Sequence, residues 1–157
     1  MTEFDVVVGA GTLRSVSADA VSFPHRWTTE GVTVDAAFTG AHLLHLAAAG
    51  CVLNDVYREA ERFGIGVAGV RVTAAGGFDT TTWASTGITY VVEVDTDAPA
   101  ADVQSLLTAV DEVAEIPKAI RAGATVLRRP DATGQAEPSR AGGSTAEDSA
   151  NTSAATP

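Results

Sequence analysis

Between Leu43 and Leu53 the chain reads LLHLAAAGCVL, and His45 is the one strongly polar residue in that stretch. It sits inside a run from Thr39 to Phe63 that contains no proline and only two glycines. This predicts one long helix, with Thr39 as its N-cap and Gly64 as the residue just past its end. A helix that is apolar on all sides is buried on all sides. One layer of sheet in a chain of 157 residues cannot enclose it. The run therefore predicts that a second copy of the chain supplies the rest of the cover.

The flanking segments change period. FDVVVGAGTLRSVSAD and GVTVDAAF read as strands of an N-terminal meander, joined through a connection containing Phe23-Pro24. GVAGVRVTAAGGF and STGITYVVEVDT are β-rich, with alternation clearest from Thr89 to Asp95. PAADVQSLLTAVDEVAE places Val103, Leu106, Leu107, Val110 and Val113 at helical spacing behind Pro99. IPKAIRAG predicts a break and a short helix, and ATVLR a last strand. Strands, long helix, two strands, two helices and a strand make an α+β pattern rather than alternating βαβ. From Arg129 to Pro157 there is no Val, Ile, Leu, Met or aromatic residue. Such a segment cannot bury enough apolar area to offset the entropy of ordering. The expected division is a folded domain over residues 1–128 and a disordered tail over 129–157.

Twenty acidic against ten basic side chains give a formal charge of -10. That balance speaks against nucleic acid, whose phosphates demand a basic face, and against an anionic membrane surface. No apolar run reaches the roughly 18 residues of a membrane helix, and MTEFDVVVGAG has no basic leader region. The expected location is the cytoplasm. One cysteine excludes an intrachain disulfide and any metal site built from several cysteines of one chain.

Several motifs are weighed and set aside. VVVGAG resembles the opening of a dinucleotide-binding turn, but the third glycine position holds Arg14, and SVSADAVSF makes a poor helix start. His42 and His45 share a helix face at i,i+3, yet no HExxH-like companion is present. Neither a cofactor nor a metal is expected. Glu59 with Glu61, and Asp111 with Glu112, read as solvated helix faces. No GxSxG elbow and no phosphate-binding loop are present.

Cys51 remains. A lone cysteine in an Ala/Leu helix is commonly a small buried hydrophobe. A reactive thiol needs a nearby cation, a helix N-terminus or a hydrogen-bond donor, and Cys51 is three turns into its helix. Its own face carries Leu44, Ala47, Ala48, Asn54, Asp55 and Arg58, whereas His42 and His45 point away. Asp55 raises the thiol pKa unless Arg58 pairs with it.

The segment FTGAHLLHLAAAGCVLNDVYREAERFGIGVAGVRV resembles the centre of the OsmC/Ohr family, the osmotically inducible and organic hydroperoxide resistance proteins. Leu43-Leu44, Ala49-Gly50-Cys51 and Gly64-Ile65-x-Val67-x-Gly69-Val70-x-Val72 match its pattern, and LLTAVDEVAEIPKAIRAGATV is similar to its second helix and exit. The resemblance spans roughly residues 30–128. It implies an intertwined α+β homodimer, with a long buried central helix packed on antiparallel-rich sheets. It also implies hydroperoxide reduction in the setting of oxidative stress, with Cys51 as the nucleophile that becomes a sulfenic acid. An N-terminal arginine assists in that family, here Arg26 with Arg14 as the rival.

Two departures shape the functional expectation. The family's Cys-Pro position is Ile116-Pro117, so no resolving cysteine exists, and its Pro-Glu position is Gly40-Ala41. The first reading is a one-cysteine peroxidase acting on organic hydroperoxides, its sulfenic acid resolved by an external thiol. The alternative is an accessory or binding protein that has lost the redox cycle and holds an apolar small molecule at the dimer interface.

Overall fold

The structure is a computed structural model, and it describes residues 4–128. Of these, residues 4–124 form one compact unit and residues 125–128 fall outside it. The expected tail over 129–157 lies outside the described residues.

The first unit holds β1 (Val6–Gly11), β2 (Val21–Phe23), β3 (Val32–Asp35), α1 (Gly40–Phe63), β4 (Gly69–Phe78), β5 (Ser85–Asp95), α2 (Ala100–Val113) and α3 (Glu115–Ala122). The strands form one sheet in the order β2-β3-β1-β4-β5, and every neighbouring pair is antiparallel. The register aligns Val34, Val8, Val72 and Val92 across four strands. Alternation along each strand puts Val6, Val8, Ala10, Val70, Val72 and Ala74 on one buried face.

That face is covered by α1. Its buried side presents Ala49, Val52, Leu53, Val56 and Ala60 to the sheet, and Leu106 and Val110 of α2 complete the core. The helix begins where its sequence says it should: the Thr39 hydroxyl accepts from the His42 N–H at 3.4 Å. It ends at Gly64, whose φ of 68° is left-handed and favours a residue without a Cβ.

Three expectations need correction. The first strand stops at Gly11, because the chain turns through Leu13 N–H to Ala10 O and Arg14 N–H to Gly11 O; the strand that follows is the short β2. Ala124–Arg128 carry no strand, since alternating apolar residues make a strand only when a neighbour takes their backbone groups. Glu59 is not on a solvated face but 2% exposed. As the sequence predicts, a single chain leaves part of α1 uncovered. Leu43 remains 39% exposed, Ala47 is exposed, and a Cβ placed on Gly50 would meet nothing within 4 Å.

Candidate functional site

Cys51 lies in the middle of α1 and is half-buried. Its thiol donates to Asp55 Oδ2 at 3.6 Å, the contact expected of residues four apart on one helix face. The backbone N–H of Ile116 reaches the sulfur from the first turn of α3, and the Glu115 carboxylate stands close by. That N–H is free because it belongs to the first turn of α3, and Pro117 follows it there. A proline in the first helical turn is tolerated because the N–H groups there have no intrahelical acceptor. Burial pushes the thiol pKa up, the Ile116 N–H pulls it down, and the charges of Asp55 and Glu115 push it up again. The net direction is upward.

Asp55 is 3% exposed, and burial raises its pKa against the opposing pull of Arg58. Arg58 Nη2 holds Asp55 Oδ1 at 2.8 Å. The same guanidinium reaches Glu59 Oε1 at 3.3 Å, and Arg62 Nη1 takes Glu59 Oε2 at 2.7 Å. Two buried carboxylates are thus each paired with arginines that keep contact with water, as buried charges require. The Asp55–Arg58 pairing anticipated from sequence is present, yet the second carboxylate oxygen still faces the thiol.

Arg26 stands elsewhere in the chain. Its guanidinium lies 5.6 Å from the Trp27 ring centroid, beside a concavity lined by Leu46, Gly50 and Asn54. Leu46 and Gly50 are turned by about 100–140° from Cys51 around α1 at about 100° per residue, and Asn54 by about 60°. Arg14 lines a shallow cleft with Gly11, Glu30 and Ala68, next to the β1 turn. The charges acting on Cys51 within the chain are acidic. His42 and His45 are occupied structurally, His42 Nδ1 with Thr39 Oγ1 at 2.7 Å and His45 Nδ1 with Phe4 O at 2.7 Å.

A cavity of about 400 Å³ is lined by Ala48, Ile88, Tyr90, Pro117, Ile120 and Arg121 among others, and Cys51 is not part of its wall. Ala48 is one turn before Cys51, and Pro117 follows the residue whose N–H meets the sulfur. The wall is mainly apolar. The Tyr90 hydroxyl, held by Asp111 and Arg121, gives it one polar edge.

The family of OsmC-like proteins matches residues 33–127, which include α1, both long strands, α2 and α3. The chain belongs to that family. The fold is similar to the crystal structure of an OsmC-like protein from Mycoplasma pneumoniae, with 10% identity over 67% of this chain and 87% of the other at a TM-score of 0.50. An OsmC-like hydroperoxide resistance protein from Jannaschia sp. CCS1 aligns at 16% identity over 85% of this chain and 97% of the other, with a TM-score of 0.46. No curated protein sequence matches significantly.

This OsmC-like chain has a single-cysteine site. Ile116, at the position where the family resemblance puts a Cys-Pro pair, meets Cys51 with a backbone N–H in place of a second sulfur. The donor atoms of Cys51, Asp55 and Glu115 lie within 4.8 Å of one another. A thiolate and two carboxylates are ligand types that zinc accepts, although Arg58 already holds one oxygen of Asp55. Among the described residues no helix is long and apolar enough to cross a membrane. Sequence reasoning missed the Ile116 N–H, Glu115 and the cavity walls on α3 and β5. The proline at position 117 was the available clue, because it marks a first turn with free N–H groups.

Proposed function

We propose that the chain is a thiol-dependent, one-cysteine organic hydroperoxide reductase. Cys51 attacks the peroxide oxygen, becomes a sulfenic acid and is returned to the thiol by an external small thiol. The observation that carries this reading is a half-buried thiol met by a helix-start N–H from Ile116 able to stabilise a thiolate. A mainly apolar cavity that begins one turn back along α1, at Ala48, is suited to the organic part of the substrate. The uncovered Leu43–Ala47–Gly50 side of α1 supports a homodimer. Arg26 lies over Trp27 in its own chain and is not among the charges acting on its own Cys51, so its part in activation is played across that dimer, toward the thiol of the other copy. Dependence on a small-thiol reductant fits a reducing compartment, the cytoplasm.

Replacing Cys51 with Ser tests the reading. Consumption of cumene hydroperoxide in the presence of dithiothreitol should fall to background; consumption at the wild-type rate rejects it.

The upward shift of the thiol favours a second reading, an accessory protein that binds an apolar molecule without redox turnover. Mass spectrometry after one equivalent of hydroperoxide separates the two. Stoichiometric sulfenic acid on Cys51 belongs to the enzyme, and an unmodified thiol to the binding protein.

A further inference from the structure

We infer that Asp55 is the proton acceptor of the Cys51 thiol, with Arg58 as the positioning residue that aims its carboxylate. The inference rests on the reading of Cys51 as the peroxide-reducing group, and it gives the thiol a carboxylate partner from its own helix face.

The geometry is specific. One oxygen of Asp55 accepts from the thiol at 3.6 Å, and the other is held by Arg58 at 2.8 Å. Arg58 is in turn anchored on Glu59, which Arg62 holds. The carboxylate therefore cannot rotate away from the sulfur without breaking a chain of ion pairs. The charged groups facing this centre are Asp55, Arg58 and Glu59 from α1 and Glu115 from α3.

Charge conservation favours this route. Loss of the thiol proton to water would put a second negative charge beside Asp55 and close to Glu115, in a partly desolvated site. Transfer to Asp55 leaves the total unchanged, because the carboxylate is neutralised as the thiolate forms. Burial raises Asp55 as it raises the thiol, so the carboxylate is a stronger base than an exposed one. The Ile116 N–H then stabilises the sulfur anion.

The steps balance. The thiol proton moves to Asp55 Oδ2. The sulfur lone pair attacks the terminal oxygen of ROOH, the O–O bond breaks, and Cys51 becomes the sulfenic acid while RO⁻ departs. The protonated Asp55 returns its proton to RO⁻, giving the alcohol. Sulfur is oxidised by two electrons and the peroxide reduced by two. A small thiol then condenses with the sulfenic acid, releasing water, and a second thiol frees Cys51 as the two reductant sulfurs join.

The test is the pH dependence of Cys51 modification in the full-length protein, by iodoacetamide and by cumene hydroperoxide with dimedone trapping. For Asp55→Asn, both rates should fall about 100-fold at pH 7 and converge on wild type once the thiol ionises by itself. Simple electrostatics predicts the reverse, a faster thiol when a negative charge is removed. A variant as fast as wild type or faster overturns the inference. Should the variant fail to fold, the wild-type profile decides. A rate that stays level from neutral pH down to the ionisation of Asp55 supports proton transfer within the pair. A tenfold fall per pH unit throughout that range overturns it. Arg58→Lys should restore most of what Arg58→Gln loses. Iodoacetamide needs no peroxidase activity. A level alkylation profile without sulfenic acid sinks the peroxidase reading alone, and sulfenic acid at an undiminished rate in Asp55→Asn sinks the proton-acceptor role alone.

Discussion

His45 of α1 occupies the space that Gly76 of β4 leaves open: a Cβ built on Gly76 would come within 2.9 Å of His45 Nε2 and closer still to the Gly87 carbonyl oxygen. Glycine at this position lets a fully buried imidazole reach the sheet and keeps β4 and β5 at hydrogen-bonding distance. Gly76→Ala should destabilise the fold by about 1–3 kcal/mol, the usual cost of overpacking. Urea unfolding followed by circular dichroism measures it, and an unchanged midpoint contradicts the tight packing.

Thr39 starts α1 with its side-chain oxygen on the His42 N–H. Thr39→Ala should lower stability by about 1 kcal/mol through loss of the cap. Because the Thr39 hydroxyl also meets His42 Nδ1, Thr39→Ser should retain most of it. Equal stability of all three proteins in a denaturant titration would deny the hydroxyl any capping role.

Asp55 sets a pH dependence of stability. Its folded pKa is raised above the ordinary value of 3.8 by burial, so between those two values the folded chain binds the proton more tightly than the unfolded one. The contribution is present below the unfolded pKa and is lost as pH rises through the folded value. The stability difference between wild type and Asp55→Asn should thus shift against wild type across that window. A difference that rises with pH there would reverse the assignment.

The cavity that opens at Ala48, one turn before Cys51 on α1, predicts substrate size selection. Ile120 forms part of its apolar wall. Ile120→Ala should reduce the ratio of kcat/KM for cumene hydroperoxide to that for hydrogen peroxide by roughly tenfold, the scale of a lost apolar pocket contact. An unaltered ratio in steady-state assays would place the organic group elsewhere.

Local signals carried much of the fold. Thr39 and Gly64 bracket α1 because capping depends on residues next to the helix ends, and Leu106 and Val110 point inward because helical period alone orients them. β2 was hidden because three residues are too few for a pattern, and its pairing with β3 is a tertiary event. Glu59 looked solvated because nothing local shows that Arg58 beside it and Arg62 one turn on take its carboxylate. The candidate site was half legible. Cys51, Asp55 and Arg58 share one helix face and can be related by counting. Ile116 is 65 positions away from Cys51, and only the packing of α3 on α1 brings its N–H to the sulfur. The partial exposure of α1 depends in the same way on what the other elements leave uncovered.

The sulfur at position 51 has an amide hydrogen from Ile116 as its neighbour and no second thiol anywhere in the chain. Any disulfide this protein makes must therefore point outward, to another molecule. Every mixed disulfide recovered from it is a label: the added mass reports directly which thiol last visited Cys51.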